Sequence, residues 1–579
     1  LLLAVMAFGV TLVAARPLGS KGGDAPVALL GVEESEPVIS YVDRQVSAQS
    51  GAIVAWYNPD VAVTGATAEA QARQFLSAHR AELGLAGPDL ADLELKAIRE
   101  GLTGTTVRFR QYLAGIPVYK AEIAVHINRD NRVTFVDSSY RPDLQLALNA
   151  PVLDQASVRQ AAMTFLSATA PFSYDQTALT VYDFNGTTRL AYQIRVEASS
   201  PAGSWEILAD ARTGEYFKVT DHATYNVVYV DNGGDFEGGV SVVDGTGMVF
   251  DPDPLTSGTA TYGDSGFVDG ADATTPQLDA ERFAVTLKDI EENGGTYTLR
   301  GPWAEVVDHE APFNGLFSQA SSAFDFDRSA DAFEAVNTYY HIDASMRYLN
   351  VALGLTIEPF QYVGGVQFDP SGLSGADNSH YSPGSGRLAF GEGGVDDAED
   401  SDVIHHELGH GLHDWVTSGA LSQVNGLSEG IGDFWAQSYN RSVDSWTPSD
   451  PQYNWVFRWD GHNPFWGGRT TAYGATYPGG LTGSIHTDGQ IWATCMMKVW
   501  DAVGKTVTDT AHWEGIGTTG ATTNQEAAAN AVLQAAIDMG RPFPEVEAMR
   551  NEFVSCGYDM MLILPIEPAA FLPIVISAP

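Results

Sequence analysis

At 579 residues the chain is too long for a single hydrophobic core, so two or more domains are expected. Its 31 Lys and Arg stand against 73 Asp and Glu, a formal charge of −42 that opposes binding to nucleic acid or anionic membrane and favours solubility and cation binding. Two cysteines, Cys495 and Cys556, cannot build a disulfide framework; a single bridge or two buried thiols both stay open.

Residues 1–15 (LLLAVMAFGVTLVAA) are an apolar run ending in small residues before Arg16. They read as the remnant of a secretory signal peptide with Val13-Ala14-Ala15 as cleavage site, followed by a linker over 16–45. Residues 46–221 form a region of their own, helical around 67–83 and then strand-rich. Thr106-Val107-Arg108-Phe109-Arg110-Gln111-Tyr112 alternates as a half-buried strand, and 121–127 pairs with 132–136 across Asp130-Asn131 as a hairpin. Two more strands are expected at 190–196 and 205–209. No metal or nucleophile constellation occurs here, so the region reads as a noncatalytic α+β domain.

From 222 to 300 the chain is rich in Gly and Asp with short alternating runs at 225–230 and 240–243, which predicts β-structure with long turns. Residues 333–349 are a helix candidate. The stretch 377–391 suggests an edge strand, whose free backbone groups can pair with another extended chain. His380 in that stretch reads as a surface or rim residue.

The stretch 402–415 (DVIHHELGHGLHDW) carries His406-Glu407-Leu408-Gly409-His410. On a helix His406 and His410 stand one turn apart on one face, where two imidazoles can bind one zinc ion. Glu407 then sits beside the metal's water, not on the metal. Ile404, Leu408, Leu412 and Trp415 fill the opposite face, as a buried amphipathic helix requires. His413 is two turns from His406, too far to share the ion, and reads as a rim or structural residue. A metzincin would need Gly at 413 and His at 416; this chain has His413 and Val416.

Downstream, Gly426-Leu427-Ser428-Glu429-Gly430-Ile431-Gly432-Asp433 reads as a loop, an N-cap serine and a second helix with acids one turn apart. Glu429 can supply the third ligand, and Asp433 can accept the other ring N–H of a ligating histidine. A third helix is marked by apolar positions 491, 492, 495, 496, 499, 500 and 503 and stopped by Gly504, with Cys495 in its core face and His486 just before its N-terminus. A histidine there can donate to an oxyanion. Residues 561–579 form an apolar, Pro-broken tail that is a poor membrane span.

Several of these segments resemble a known family. Residues 106–119 (TVRFRQYLAGIPVY) resemble the fungalysin/thermolysin propeptide signature, and 205–215 (WEILADARTGE) resembles the strand that closes such prodomains. Residues 402–413, 426–436 and 485–500 resemble the three active-site segments of the fungalysins, thermolysin-like gluzincins with zinc as cofactor. The resemblance implies an α+β chain: an N-terminal α+β propeptide domain (46–221), then a thermolysin-like catalytic domain (222–560) with a β-rich upper lobe, a mainly helical lower lobe and zinc in the cleft. It implies a secreted endopeptidase of proteins and peptides, made as a zymogen that its own propeptide inhibits until a cut near 221–225. His406, His410 and Glu429 take the zinc-ligand role, Glu407 that of general base, Asp433 that of the orienter of His406, and His486 that of transition-state stabiliser. Asn378 resembles the asparagine that binds substrate backbone.

The chain departs from that pattern in places. No tyrosine lies between His410 and Glu429, so thermolysin's second oxyanion donor has no match, and Gln490 stands where fungalysins tend to have Glu. Asp402 sits where thermolysin has a calcium ligand, but Asn440 replaces a companion acid, which leaves calcium open. Three rivals are a gluzincin aminopeptidase, whose Gly-x-Met-Glu-Asn signature is missing, an acidic secreted binding or adhesion protein with a degenerate site, which the intact Glu407 disfavours, and a structural calcium-binding surface protein, which rests only on charge.

Overall fold

The computed structural model describes residues 37–222 and 241–563, apart from 88–89, 143, 145, 147–152, 171, 173, 185–186, 200–201 and 316. The expected signal segment, the run 225–230 and the tail beyond 563 lie outside the described residues.

The chain is α+β. Its helices are α1 (Ala68–Ala78), α2 (Gln155–Leu166), α3 (Pro254–Gly258), α4 (Pro276–Ala280), α5 (Ala332–Arg347), α6 (Ser401–Val416), α7 (Leu427–Val443), α8 (Ile485–Val503), α9 (Lys505–Ile516), α10 (Gln525–Asp538) and α11 (Phe543–Ser555). Among the described residues no helix is long and apolar enough to cross a membrane.

Residues 38–221 build an 11-stranded sheet. Its axis is the strand Ile116–Asn128, which pairs antiparallel with Gly104–Leu113 and Arg132–Ser138 and, at Val118↔Val181, parallel with Tyr174–Phe184. Thr67 caps α1 by accepting from Ala70 N, and Phe75 and Leu76 pack into one apolar cluster with Val107, Phe109 and Val125. A second cluster joins α2 to the strands Thr187–Ser199 and Ala202–Asp210. Part of the stretch expected as linker forms the strands Val38–Tyr41 and Arg44–Ser47, which pair with each other and with Ile53–Ala62, and Gln45 Nε2 donates to Glu526 Oε1 at 2.9 Å.

Gly104–Leu113 is covered on both faces, not half-buried as its alternation suggests. Val107 and Phe109 face the domain's own core, while Arg108 on the other face is 1% exposed and donates from Nη2 to Gly517 O at 2.7 Å. The same seam holds Glu514, whose Oε2 accepts from Thr103 N at 2.9 Å and Thr103 Oγ1 at 2.7 Å, while Oε1 accepts from Arg99 Nη2 at 2.9 Å. Thr523 donates to Asp137 at 2.7 Å and Thr134 to Asp538 at 2.7 Å. The polar outer face of the N-terminal sheet is thus docked on α9 and α10, and Tyr57 and Phe135 share the large core of the second half.

That second half holds two four-stranded sheets. In the second of them Ser379–Ser382 is one edge strand, antiparallel to Arg387–Phe390, and Ala304–Val306 is the other. Helix α5 comes before the last three strands of this sheet and α6 to α8 after them, with α6 packed on α7 and on Ser379–Ser382, and α7 on α8. Cys495 and Cys556 form a disulfide that ties α8 to the residue after α11 across a sequence separation of 61. In the chain-entropy account a loop of that size contributes about 4 kcal/mol.

Candidate metal centre

Asp400 opens α6 by accepting from Asp402 N at 2.8 Å, and every residue of the helix is buried. Helix α7 starts after Gly426, whose φ of +69 makes the left-handed turn. The two helices cross through glycines. A Cβ on Gly409 would lie 2.9 Å from Gly432 Cα, and one on Gly432 would lie 2.5 Å from His406 Nδ1. Helix α8 approaches α7 equally closely, since a Cβ on Gly430 would meet Gly489 O at 2.4 Å. These contacts let side chains from three helices meet.

His406 Nε2 and His410 Nε2 lie 3.1 Å apart, and the Glu429 oxygens lie 3.6 Å from the first and 3.7 Å from the second. One donor atom from each of the three falls within 4.8 Å of the others, and all three residues are buried. His406 Nδ1 lies 3.0 Å from Asp433 Oδ1, and His410 Nδ1 lies 2.8 Å from Ser428 Oγ. With a proton on each Nδ1, facing Asp433 and Ser428, both Nε2 lone pairs point toward each other and toward a carboxylate. Three electron-rich atoms so close repel one another unless a cation lies among them. A two-nitrogen, one-oxygen set fits zinc.

The electrostatics agree. Burial pushes His410 down to about 3, which keeps its ring neutral and able to donate a lone pair. Burial alone would raise Glu429, but His486, His410, His406 and Arg469 around it hold its carboxyl below the ordinary range. Glu407, beside the trio, is 5% exposed and its Oε2 takes no hydrogen bond. Burial raises its carboxyl above the usual range.

His486 lies in the first turn of α8, not before it, with Nε2 3.4 Å from Glu429 Oε2 and about half its side chain exposed (51%). Asn378 directly precedes the edge strand Ser379–Ser382 and is partly buried. Two local expectations change, and a third is narrowed. Ser428 is not an N-cap; it lies within α7 and its hydroxyl meets His410 Nδ1 and, at 3.2 Å, His413 Nδ1. For His413, open between a rim and a structural residue, full burial leaves the structural reading. His380 is buried too, its Nε2 2.8 Å from Glu310 Oε1; burial would lower it, but Glu310 outweighs that and pushes it up to about 9.

Arg469 has no counterpart in the sequence reading. It leaves the strand Arg469–Thr470 over the Phe457 ring and puts Nη1 3.2 Å from Glu429 Oε2 and Nε 3.3 Å from Asp433 Oδ1. Gln490 braces that strand by accepting from Thr470 N at 3.1 Å.

Residues 95–140 match the model of the Fungalysin/Thermolysin Propeptide Motif. Over 120 residues, 19% of this chain and 22% of the relative, the sequence is 30% identical to the thermostable neutral protease NprT of Geobacillus stearothermophilus. The match thus spans about a fifth of the length of that curated relative. Among solved structures, the Bacillus megaterium YpeB C-terminal domain is 12% identical and covers 31% of this chain and 75% of its own, but at a TM-score of 0.19 the likeness carries no structural argument. The chain resembles fungalysin/thermolysin-type proteases made with a propeptide.

Proposed function

We propose that the chain is a secreted zinc-dependent metalloendopeptidase made as a zymogen, with residues 46–221 as propeptide and 222–560 as a two-lobed thermolysin-like catalytic domain. The observation that carries this reading is the convergence of His406, His410 and Glu429, with Glu407 left free beside them. The propeptide motif over 95–140 and the neutral-protease relative support the class.

Zinc held by His406, His410 and Glu429 would supply Lewis acidity, polarising a peptide carbonyl and making a water easier to deprotonate. Glu407 takes the proton of that attacking water and passes it to the leaving amine; its raised affinity for protons, caused by burial, suits both transfers. Asp433 and Ser428 hold the two imidazoles in the metal-binding tautomer. His486, exposed at the start of α8, donates to the oxygen on which charge develops. Asn378, beside a free sheet edge, holds the substrate backbone. The seam at Glu514 and Arg108 keeps the propeptide docked until a cut near 221–225 releases it.

The test combines a metal assay with cleavage of a peptide blocked at both ends. One zinc per chain and internal cleavage support the reading. A chain that binds no zinc, or removes single residues only from a free N-terminus, refutes it.

A further inference from the structure

A second group of carboxylates lies outside this centre, where the start of α5 meets the turn that leads into α6. Glu334, in the first turn of α5, and Asp396 and Glu399, just ahead of α6, each bring one oxygen within 4.8 Å of the other two, and all three are buried. Acidic clusters are common, and proximity alone decides nothing. Two further facts do. Glu334 Oε2 and Asp396 Oδ1 are shut off from solvent and accept no hydrogen bond, although their residues are only 2% and 4% exposed. A buried, unsatisfied carboxylate oxygen is costly, and here two members of one cluster carry one each.

The neighbourhood deepens the imbalance. Asp272, Asp331 and Glu392 add their charges to the same group. The nearby cation is Arg328, and it is already committed: Nε donates to both oxygens of Glu399 at 2.8 and 2.9 Å, and Nη2 to Asp269 Oδ1 at 2.8 Å. One guanidinium cannot neutralise so many acids. Burial together with Glu399 and Asp272 pushes Asp396 up to about 9, and burial with Glu399 and Asp396 raises Glu334. Either protons or a further cation must therefore fill the cluster near neutral pH.

We propose that Glu334, Asp396 and Glu399 bind a divalent cation, calcium by the chemistry of the set. All the donors are carboxylate oxygens, a hard set that suits calcium and not the softer metals, and the buried site leaves little room for the retained water shell that magnesium prefers. The cation clamps α5 to residues 396–399, and so fixes the entry of α6, the helix that carries His406 and His410. The neighbouring Asp397 turns to a different set, Asp377 and Asp460, in which Ser379 and Trp466 donate to Asp397 and Asp460 and Asp377 is exposed.

The test uses the full chain carrying Glu407→Gln, stripped of metal and reloaded with zinc, so that neither autolysis nor the peptidase reading enters the result. Calcium binding is titrated calorimetrically and the melting temperature is read with and without calcium, for the parent and for Glu334→Gln and Asp396→Asn. The expected result is a calcium-dependent rise in the parent's melting temperature, one fewer calcium bound in each variant, and at least a tenfold loss of the tightest calcium affinity. A parent indifferent to calcium, or variants that bind as many ions as the parent, overturns the proposal. So does a melting temperature that rises in both variants equally with and without calcium, since that is the sign of a cluster held by protons. Should one variant fail to fold, the parent titration and the other variant still decide.

Discussion

Arg469 Nη1 lies 3.2 Å from Glu429 Oε2, so a guanidinium reaches the same carboxylate that completes the trio with His406 and His410. Its Nη2 stands 3.5 Å from His406 Nε2, where the lone pair is. This cation balances Glu429 and Asp433. A zinc ion at the proposed site would have to share the carboxylate with it.

Removing that competitor should therefore tighten the metal site. Arg469→Ala is expected to bind zinc about tenfold more tightly in a chelator competition, which corresponds to about 1.4 kcal/mol of relieved repulsion. It should also destabilise the zinc-free protein by about 3 kcal/mol, because two buried carboxylates lose their partner. Weaker zinc binding in the variant would mean that Arg469 orients Glu429 and does not compete for it.

Glu407→Gln should keep the fold and one equivalent of zinc, because Glu407 is no member of the ligand trio. Turnover should fall by about 10³-fold, the scale of a lost general base. The same variant reports on maturation. If the cut near 221–225 is autolytic, the variant accumulates uncut, whereas identical processing in both proteins assigns the cut to another protease. Normal hydrolysis by the variant would remove Glu407 from the mechanism.

The parts of this site visible in the sequence are those with a short period. His406 and His410 one turn apart, Glu429 and Asp433 one turn apart, and the apolar stripe of Leu408 and Leu412 all follow from helix geometry on a single segment. What the sequence hid depends on contacts between segments. Ser428 looks like an N-cap in isolation, yet Gly426 takes the left-handed turn and frees the hydroxyl for His410. Arg108 alternates as if it faced water, and only the docking of α9 buries it. The burial of His380 is hidden for the same reason: its partner Glu310 is 70 residues away. Arg469 arrives from a two-residue strand that no periodicity marks.

Ser428 and Gly432 offer a test of how the ligands are held. Ser428→Ala leaves His410 Nδ1 without its 2.8 Å partner. Zinc affinity is expected to drop 10- to 100-fold, about the range for a lost outer partner of a ligating histidine. Gly432→Ala sets a methyl 2.5 Å from His406 Nδ1, against rigid helix on both sides. It should displace His406 from Asp433 and cost more than Ser428→Ala, both in zinc affinity and in melting temperature. Zinc affinities equal to the parent in both variants would show that these contacts do not orient the ligands.

The docking of the N-terminal sheet should depend on pH through Asp538. Its Oδ2 accepts from Thr134 Oγ1 at 2.7 Å, and burial pushes its carboxyl up to about 6 from an ordinary value near 4. A carboxyl with a raised value in the folded state favours folding while it is protonated. Its contribution is complete below about pH 4 and is lost as pH rises through 6. His126, 3.7 Å away, works in the opposite sense, since burial pushes it down to about 4 and folding then costs most in acid. The two are separated by comparison with Asp538→Asn, which keeps His126 and an acceptor for Thr134. In urea unfolding of the uncut Glu407→Gln chain, stability relative to the Asp538→Asn form should fall by about 1 kcal/mol between about pH 5 and 7.5. A difference that stays flat over that window, or grows with pH, would show that Asp538 is ionised throughout and that its seam with Thr134 is held by charge and not by a proton.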